Sequence, residues 1–442
     1  MLGTAFAPHA LAAALTAAAL GPVPPPPPSP PGVAAASVAG GSVTTPAGSA
    51  AAVAPPSGAS AGAAGAPGNS TAVAAAATPS SVPATGSTAP LDFIPVTQTL
   101  ARVAACAAVG KIPEQFDARI VDKHCQQLSA LEAKWRQTWL AQAQPFFAAV
   151  VPRDVPATVV YPFGGGDLFT AMVVYPNATE ITTLSLEPAG DPRSINALAP
   201  GELDSMLGEV RDKVNHLLHY AHSKTTDMGK LARSKLPGDL TYALAALEIN
   251  QFDPVSVRFF RLGPQGEVIY MTGDDIANMP ESKGRRSPFA NLEIQYVPRG
   301  SGNGGARRTF RHIAANLDDK HMAADPSVLR HLEQKGPVAA ITKAASYLLW
   351  WNTFSHIREY LLRNMVWMIS DSTGIPPDEA AAAGFEQIPY GRFDGPFLGG
   401  GIRPTEVFRK LWAEKAQPLA FRFGYPDIGN HDHLLITRRL PK

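Results

Sequence analysis

The stretch that most constrains this chain is Val159–Asp191, VVYPFGGGDLFTAMVVYPNATEITTLSLEPAGD. An apolar run from Thr158 to Tyr161 has the β-branched and aromatic make-up of a buried strand. It stops at the turn Gly164-Gly165-Gly166-Asp167. A short amphipathic segment, Leu168 to Tyr175, reads as a helix, and a second β-branched run, Ile181 to Leu186, closes on Glu187. Strand, glycine turn, helix and strand in that order form the opening unit of a Rossmann-like α/β sheet.

Charge divides the rest of the chain. None of the first 91 residues is Asp, Glu, Lys or Arg, and every such residue lies from Asp92 onward. Residues 1–21 are apolar, and the Ala/Leu run Ala10 to Leu20 has the length of a signal-peptide core, although no basic residue precedes it. Residues 22–95 open on Pro24 to Pro28, a polyproline II spacer. They continue in Ala, Gly, Ser, Pro and Thr, which offer almost nothing to bury and so predict a disordered linker. Residues 96–442 are then long enough for one α/β domain with its own core. A tether between an apolar N-terminus and a folded domain fits a periplasmic or extracellular protein. A net charge of +1 with mixed signs excludes a nucleic-acid footprint. The folded part has no apolar run long enough to cross a bilayer.

Within the domain, 96–152 reads as a helical lead-in, with Leu128, Leu131, Trp135, Trp139 and Leu140 on one stripe. It carries both cysteines, Cys106 and Cys125, placed on helical segments around a turn-like stretch. They are either a loop-closing disulfide, as an oxidising compartment allows, or two buried thiols. Glu202 to His222 reads as an amphipathic helix, and its His216, His219 and His222 are too spread around the axis to hold a metal together. Two hairpins follow, Ser256 to Thr272 across Gly263–Gly266 and Leu292 to Asn316 around Gly300–Gly305. The basic residues Lys283, Arg285, Arg286, Arg307, Arg308 and Arg311 read as loop and strand-edge solvation, with an anion site as the alternative. Phe354 to Arg363 reads as a helix with Ser355 at its cap, and Val366 to Ile369 as a strand ending in Ser370-Asp371-Ser372. Asp378 to Ala383 and Thr405 to Ala416 are helices. Leu419 to Gly424 and His433 to Thr437 form a closing antiparallel pair. The expected fold is therefore a Rossmann-like central sheet with a helical lead-in, inserted hairpins and a C-terminal antiparallel hairpin.

Ligands of such sheets bind where strands end and helices begin. The glycine turn lets a backbone approach a ligand, and Glu187 stands where an acid meets a ribose in nucleotide-binding units. Asp167 would repel a pyrophosphate from the helix N-terminus, so NAD and FAD are disfavoured; alternatively it simply caps its helix. Tyr161, Lys343, Ser346, Tyr347, Arg358 and Asp371 are polar groups at strand ends or inside apolar runs, and they join Gly164, Gly165, Gly166, Asp167 and Glu187 as candidate ligand-binding residues. Lys343 in an apolar run needs a partner or a path to water. Lys343 with Ser346 could form a lysine–serine nucleophilic pair, but no oxyanion motif accompanies it. Ion pairs of Lys343 or Arg358 with Asp371 or Glu187 explain the same residues structurally.

The unit from Val159 to Glu187 resembles the first motif of class I S-adenosylmethionine-dependent methyltransferases, and LAFRFG with HLLIT resembles their final antiparallel strands. That resemblance implies S-adenosylmethionine as cofactor and a cytoplasmic location. The turn departs from an alternating glycine pattern, and no Asn-Pro-Pro-Tyr motif follows. YPFGGGDL, TLSLEPAGD, KAASYLL, FSHIR, DSTGIP, YGRF and LAFRFGY…LLITRR, spread from Tyr161 to Arg439, resemble an uncharacterised family of bacterial exported proteins. This second resemblance implies a secreted or lipid-anchored soluble domain of unassigned activity; on the residues alone, the glycine turn 164–167 is where such an exported domain would bind a small ligand or an envelope component. A third reading is a non-catalytic Rossmann-like interaction domain.

Overall fold

A computed structural model describes residues 89–199, 201–220, 235–278, 287–393, 404–424 and 432–441. The apolar segment 1–21, the linker up to residue 88, His222, Lys283 to Arg286, Gly399 to Gly401 and the turn Pro426 to Asn430 lie outside the described residues.

The strands are β1 (Thr158–Pro162), β2 (Glu180–Ser185), β3 (Phe252–Leu262), β4 (Val268–Tyr270), β5 (Asn291–Pro298), β6 (Arg308–Ala314), β7 (Val338–Ile341), β8 (Met365–Ser370), β9 (Phe385–Gly391) and β10 (His433–Arg439). They form one mixed sheet in the order β4-β3-β5-β6-β2-β1-β7-β8-β10-β9. Five neighbours, β6-β2-β1-β7-β8, run parallel. With β1 first, β2 second and β6 third on one side, and β7 and β8 on the other, this is the Rossmann order. The chain switches sides between β1 and β7, and that switch leaves a crevice at the carboxyl ends of these strands.

Both hairpins are present, β3 with β4 and β5 with β6. They are continuations of the sheet rather than appendages, because β6 also pairs in parallel with β2. Pro254 is accommodated where the β3–β5 register shifts, the bulge at which a strand tolerates a missing donor. The closing strand β10 is antiparallel as expected, but its partners are β8 and β9. Leu419 to Gly424 forms no strand. β9 carries Pro389 and lies at the sheet edge, where proline is tolerated.

Side chains alternate across the parallel strands into two cores. Val159, Tyr161 and Ile369 face the larger core, beneath the lead-in helices Ile94–Ala104, Ala118–Trp135 and Ala141–Val150 and the helices Leu203–Asn215 and Gly238–Ile249. Val160, Leu184 and Met368 face the other, closed by Asp319–Ala324, Ser327–Glu333, Ser355–Asn364 and Pro377–Ala382. None of the described helices is long and apolar enough to cross a membrane. The start of Ser355–Asn364 is satisfied from another element: Asp319 accepts from the backbone N–H of Ser355 at 3.1 Å and of His356 at 2.9 Å, so Ser355 is not the cap.

Cys106 and Cys125 are joined in a disulfide across 19 positions. Cys125 is helical, whereas Cys106 follows the end of its helix with φ 60°. Closing a loop of that length should stabilise the domain by about 3 kcal/mol relative to the reduced chain. Denaturant unfolding of the oxidised protein and of the Cys106→Ser/Cys125→Ser double variant should differ by that amount.

Candidate functional site

The glycine turn is tightly packed from behind. A Cβ on Gly164 would lie 2.6 Å from the Tyr161 ring, and one on Gly166 would lie 2.7 Å from the Tyr242 ring. Here the glycines serve packing of the backbone on aromatic faces. Gly165, with φ +48°, remains on the outer side of the turn.

Asp167 is buried, and its carboxylate is fully engaged. It caps the helix Leu168–Val174 through Thr170 N–H at 3.2 Å and accepts from Thr170 Oγ1 at 2.9 Å and from Tyr161 Oη at 2.9 Å. Lys343 Nζ lies 2.7 Å from the same carboxylate, donates to Thr170 Oγ1 at 2.7 Å and sits 5.7 Å from the centre of the Phe423 ring. Burial and the neighbouring Asp167 charge hold the Tyr161 phenol well above its usual pKa. Asp167 is thus a cap within a buried ion pair, and its charge is neutralised from behind rather than presented to a ligand.

Asp371 is equally committed. It accepts from Ala344 N–H at 2.8 Å and Thr373 N–H at 2.7 Å, while Thr373 Oγ1 accepts from Ala345 N–H at 2.9 Å. Arg358 gathers the carbonyls of Leu349, Trp350 and Trp351 at 3.0–3.4 Å and pairs with Glu379 at 3.3 Å. Asp371 is not Lys343's partner, which is Asp167, and Arg358 pairs with Glu379 rather than with Asp371 or Glu187. Together they shape the chain after β7. Tyr347, Ser372 and His433 form a separate buried chain, with Tyr347 Oη 3.1 Å and His433 Nε2 2.9 Å from Ser372 Oγ. Burial pushes the Tyr347 phenol up to about 12.

A cleft of about 120 Å³ opens at the carboxyl edge. Phe163 and Gly165 of the turn form one wall, and Ser185, Leu186 and Glu187 after β2 form the next. Ala315, Asn316 and Leu317 after β6, and Ala344, Ala345 and Ser346 after β7, supply the others. Leu348 and Phe354 complete the lining, and Phe354 meets Phe163 edge to face at 5.7 Å. Glu187 is the sole ionisable side chain among these lining residues. Of the candidates read from sequence, Gly165, Glu187 and Ser346 meet in this cleft. Tyr161, Gly164, Gly166, Asp167, Lys343, Tyr347, Arg358 and Asp371 stand behind it or beside it. Lys343 and Ser346 are therefore not arranged as a base and nucleophile, because the ammonium is turned into the Asp167 pair.

Backbone strain concentrates at this cleft. Among the described residues, non-glycine positive φ occurs at six positions, and four of them are Phe163, Ala344, Ser346 and Tyr347. Each such residue costs about 1–2 kcal/mol and persists only where its surroundings enforce it. Asp371 and Thr373 provide that enforcement by fixing the N–H groups of Ala344 and Ala345.

Elsewhere, Arg311, His216 and His124 make structural contacts. Arg311 is shared by Glu180 at 2.7 Å and Glu293 at 2.8 Å, which leaves it no charge to offer an anion. His216 Nδ1 lies 2.9 Å from the Asp212 carbonyl one turn earlier. His124 sits beside Cys106 and Cys125 within metal-ligand range, but the sulfurs are bonded to each other. Its Nε2 meets the Ala104 carbonyl at 3.0 Å, and its Nδ1 meets Arg211 at 3.1 Å.

Sequence reasoning missed Phe163, Asn316, Leu317 and Phe354 in the lining. It also missed His312 and Asp239 behind Glu187. No known protein family, curated protein or solved structure matches this chain.

Proposed function

We propose that the domain binds a small uncharged or cationic ligand with adjacent hydroxyls, of nucleoside type, in the switch-point cleft, and that it does so outside the cytoplasm. The observation that carries this reading is Glu187: among the described lining residues it is the one carboxylate, just beyond the end of β2, and the others are aromatic, aliphatic or neutral polar groups. A carboxylate accepts from two neighbouring hydroxyls at once, and Phe163, Leu186 and Phe354 offer apolar surface to a flat ring. The absence of Lys and Arg from the described lining disfavours phosphate-bearing ligands, whose charge Glu187 would repel. At about 120 Å³ the cleft is below the roughly 300–1,000 Å³ of sites that engulf a whole drug-sized ligand, so a sugar-sized group enters while the remainder lies across the mouth. The Cys106–Cys125 disulfide supports an oxidising compartment.

A second reading, an S-adenosylmethionine-dependent methyltransferase, is favoured by the Rossmann strand order closed by a reversed β10 between β8 and β9. Glu187 fits the ribose of that cofactor. The helix N-terminus at Leu168 does not offer itself to a ligand carboxylate, because Asp167 occupies it. A non-catalytic interaction domain remains the third reading.

Calorimetry with adenosine, S-adenosylmethionine and ATP separates these readings. Adenosine should bind the wild type and bind Glu187→Gln about tenfold more weakly, the loss of one charge-assisted hydrogen bond. ATP should bind more weakly than adenosine. Tighter binding of S-adenosylmethionine than of adenosine would favour the methyltransferase. No heat from any of the three would sink both ligand readings.

A further inference from the structure

Glu187 lies two residues beyond the last paired residue of β2, where a chain would ordinarily be free to turn. It is instead held at both backbone groups. Its N–H donates to Ser185 Oγ at 3.3 Å, and its carbonyl lies 2.8 Å from His312 Nε2. His312 stands on β6, fully buried, with Nδ1 3.1 Å from Thr183 Oγ1 on the neighbouring strand β2. Only one neutral arrangement satisfies both contacts: Thr183 donates its hydroxyl proton to Nδ1, and Nε2–H donates to the Glu187 carbonyl. The opposite tautomer would leave two lone pairs facing each other at 2.8 Å.

The third group there is Asp239, in the first turn of the helix Gly238–Ile249. It is brought in because Leu240 N–H donates to the Ala189 carbonyl at 3.2 Å and because Gly190 lets the chain touch Pro237, where a Cβ would lie 2.6 Å away. One Asp239 oxygen lies 3.1 Å from His312 Nε2, yet neither carboxyl oxygen makes a hydrogen bond. Burial, with the Glu187 charge second, pushes the Asp239 carboxyl well above its usual pKa, and burial likewise holds His312 below its own. The imidazole is therefore neutral near pH 7. Neither Asp239 oxygen accepts the imidazole N–H, and the Glu187 carbonyl is its acceptor.

We infer that His312 is the positioning residue of the cleft: through the Glu187 carbonyl, it sets where the Glu187 side chain meets the ligand hydroxyls. The inference rests on Glu187 being the hydroxyl acceptor. Thr183 fixes the tautomer that makes the N–H available.

The test measures adenosine affinity by calorimetry, beside thermal unfolding, for His312→Leu, His312→Gln, Thr183→Val and Glu187→Gln. A glutamine amide places an N–H₂ near the site of Nε2, whereas leucine supplies none. His312→Leu should weaken adenosine about tenfold at a temperature where it is folded, and His312→Gln should stay within about twofold of wild type. Should His312→Leu fail to fold, Thr183→Val carries the test, with a loss of a few-fold expected. Wild-type affinity in His312→Leu, or in Thr183→Val where that variant stands in, overturns the inference. So does an equal loss in the Leu and Gln variants, because the effect would then come from packing. Loss in Glu187→Gln with wild-type affinity in His312→Leu leaves the ligand reading standing and removes only the positioning role. Wild-type affinity in Glu187→Gln removes the ligand reading itself.

Discussion

Replacing Lys343 by Met should destabilise the domain by about 3–5 kcal/mol, the loss expected when one partner of a buried ion pair is removed. The Asp167 carboxylate is almost wholly inaccessible, and it would keep its hydroxyl and N–H partners while losing the one cation that pairs with it among the described residues. Its remaining choices are to stay charged in a poor dielectric or to take up a proton, and both draw on folding free energy. At roughly 2 °C per kcal/mol for a domain of this size, Tm should fall by about 6–10 °C. The second half of the prediction is recovery. Adding Asp167→Asn to Lys343→Met removes the orphaned charge, while the amide oxygen can still accept from Thr170 and the amide N–H₂ can donate to the Tyr161 oxygen. The double variant should therefore be more stable than Lys343→Met alone by about 2 kcal/mol or more, read by denaturant titration. Additive losses would mean that the two charges do not depend on each other.

Acid should unfold the domain through its buried imidazoles before its carboxylates are exhausted. His124 and His331 are both pushed down to about 4, chiefly by burial. For a base whose folded pKa lies below its unfolded value, the neutral form is the one the fold accepts. Stability is then fully present above about pH 6.5 and is lost as pH falls toward the folded value. By pH 4 each of these residues should have removed about 3 kcal/mol. His312 adds to the same direction, because burial lowers its pKa as well. Asp239 acts at the other end of the scale. Its folded pKa is raised, so its neutral form supports the fold at low pH, and that contribution is lost as pH rises through the folded value. A pH series of unfolding free energies should fall steeply between pH 6.5 and 4. His331→Asn should flatten part of that slope, since an asparagine amide places an N–H₂ near the site of Nδ1, which meets the Gly266 carbonyl at 2.9 Å.

How much of this was legible in the sequence depends on whether the signal was local. The β1–turn–helix–β2 unit could be read because composition changes at each junction within a few residues. The lead-in helices could be read because Leu128, Trp135 and their neighbours recur with the helical period. The helix Gly238–Ile249 was not read, because it is buried nearly all round and so carries no polar face to mark a period. Strand β9 was not read because Pro389 resembles loop chemistry until the strand is known to lie at an edge. The pairing of Lys343 with Asp167 was out of reach for a different reason. It depends on β7 lying directly beside β1, a fact of sheet order that no local pattern encodes. Gly165, Glu187 and Ser346 were found in the cleft because polar or turn residues at strand ends stand out. Phe163, Leu317 and Phe354 were not, since apolar residues at a cleft and in a core have the same composition.

Lys343, Asp167, Asp371 and Arg358 thus build the frame, and Glu187 is the group that the frame leaves available. The most direct test of that division is a crystal structure of the protein soaked with adenosine. The account predicts the sugar in the cleft, its two ring hydroxyls within about 2.5–3.0 Å of the Glu187 carboxylate and the base against Phe163 or Leu186. Adenosine bound elsewhere, or bound in the cleft with its hydroxyls turned away from Glu187, would contradict it.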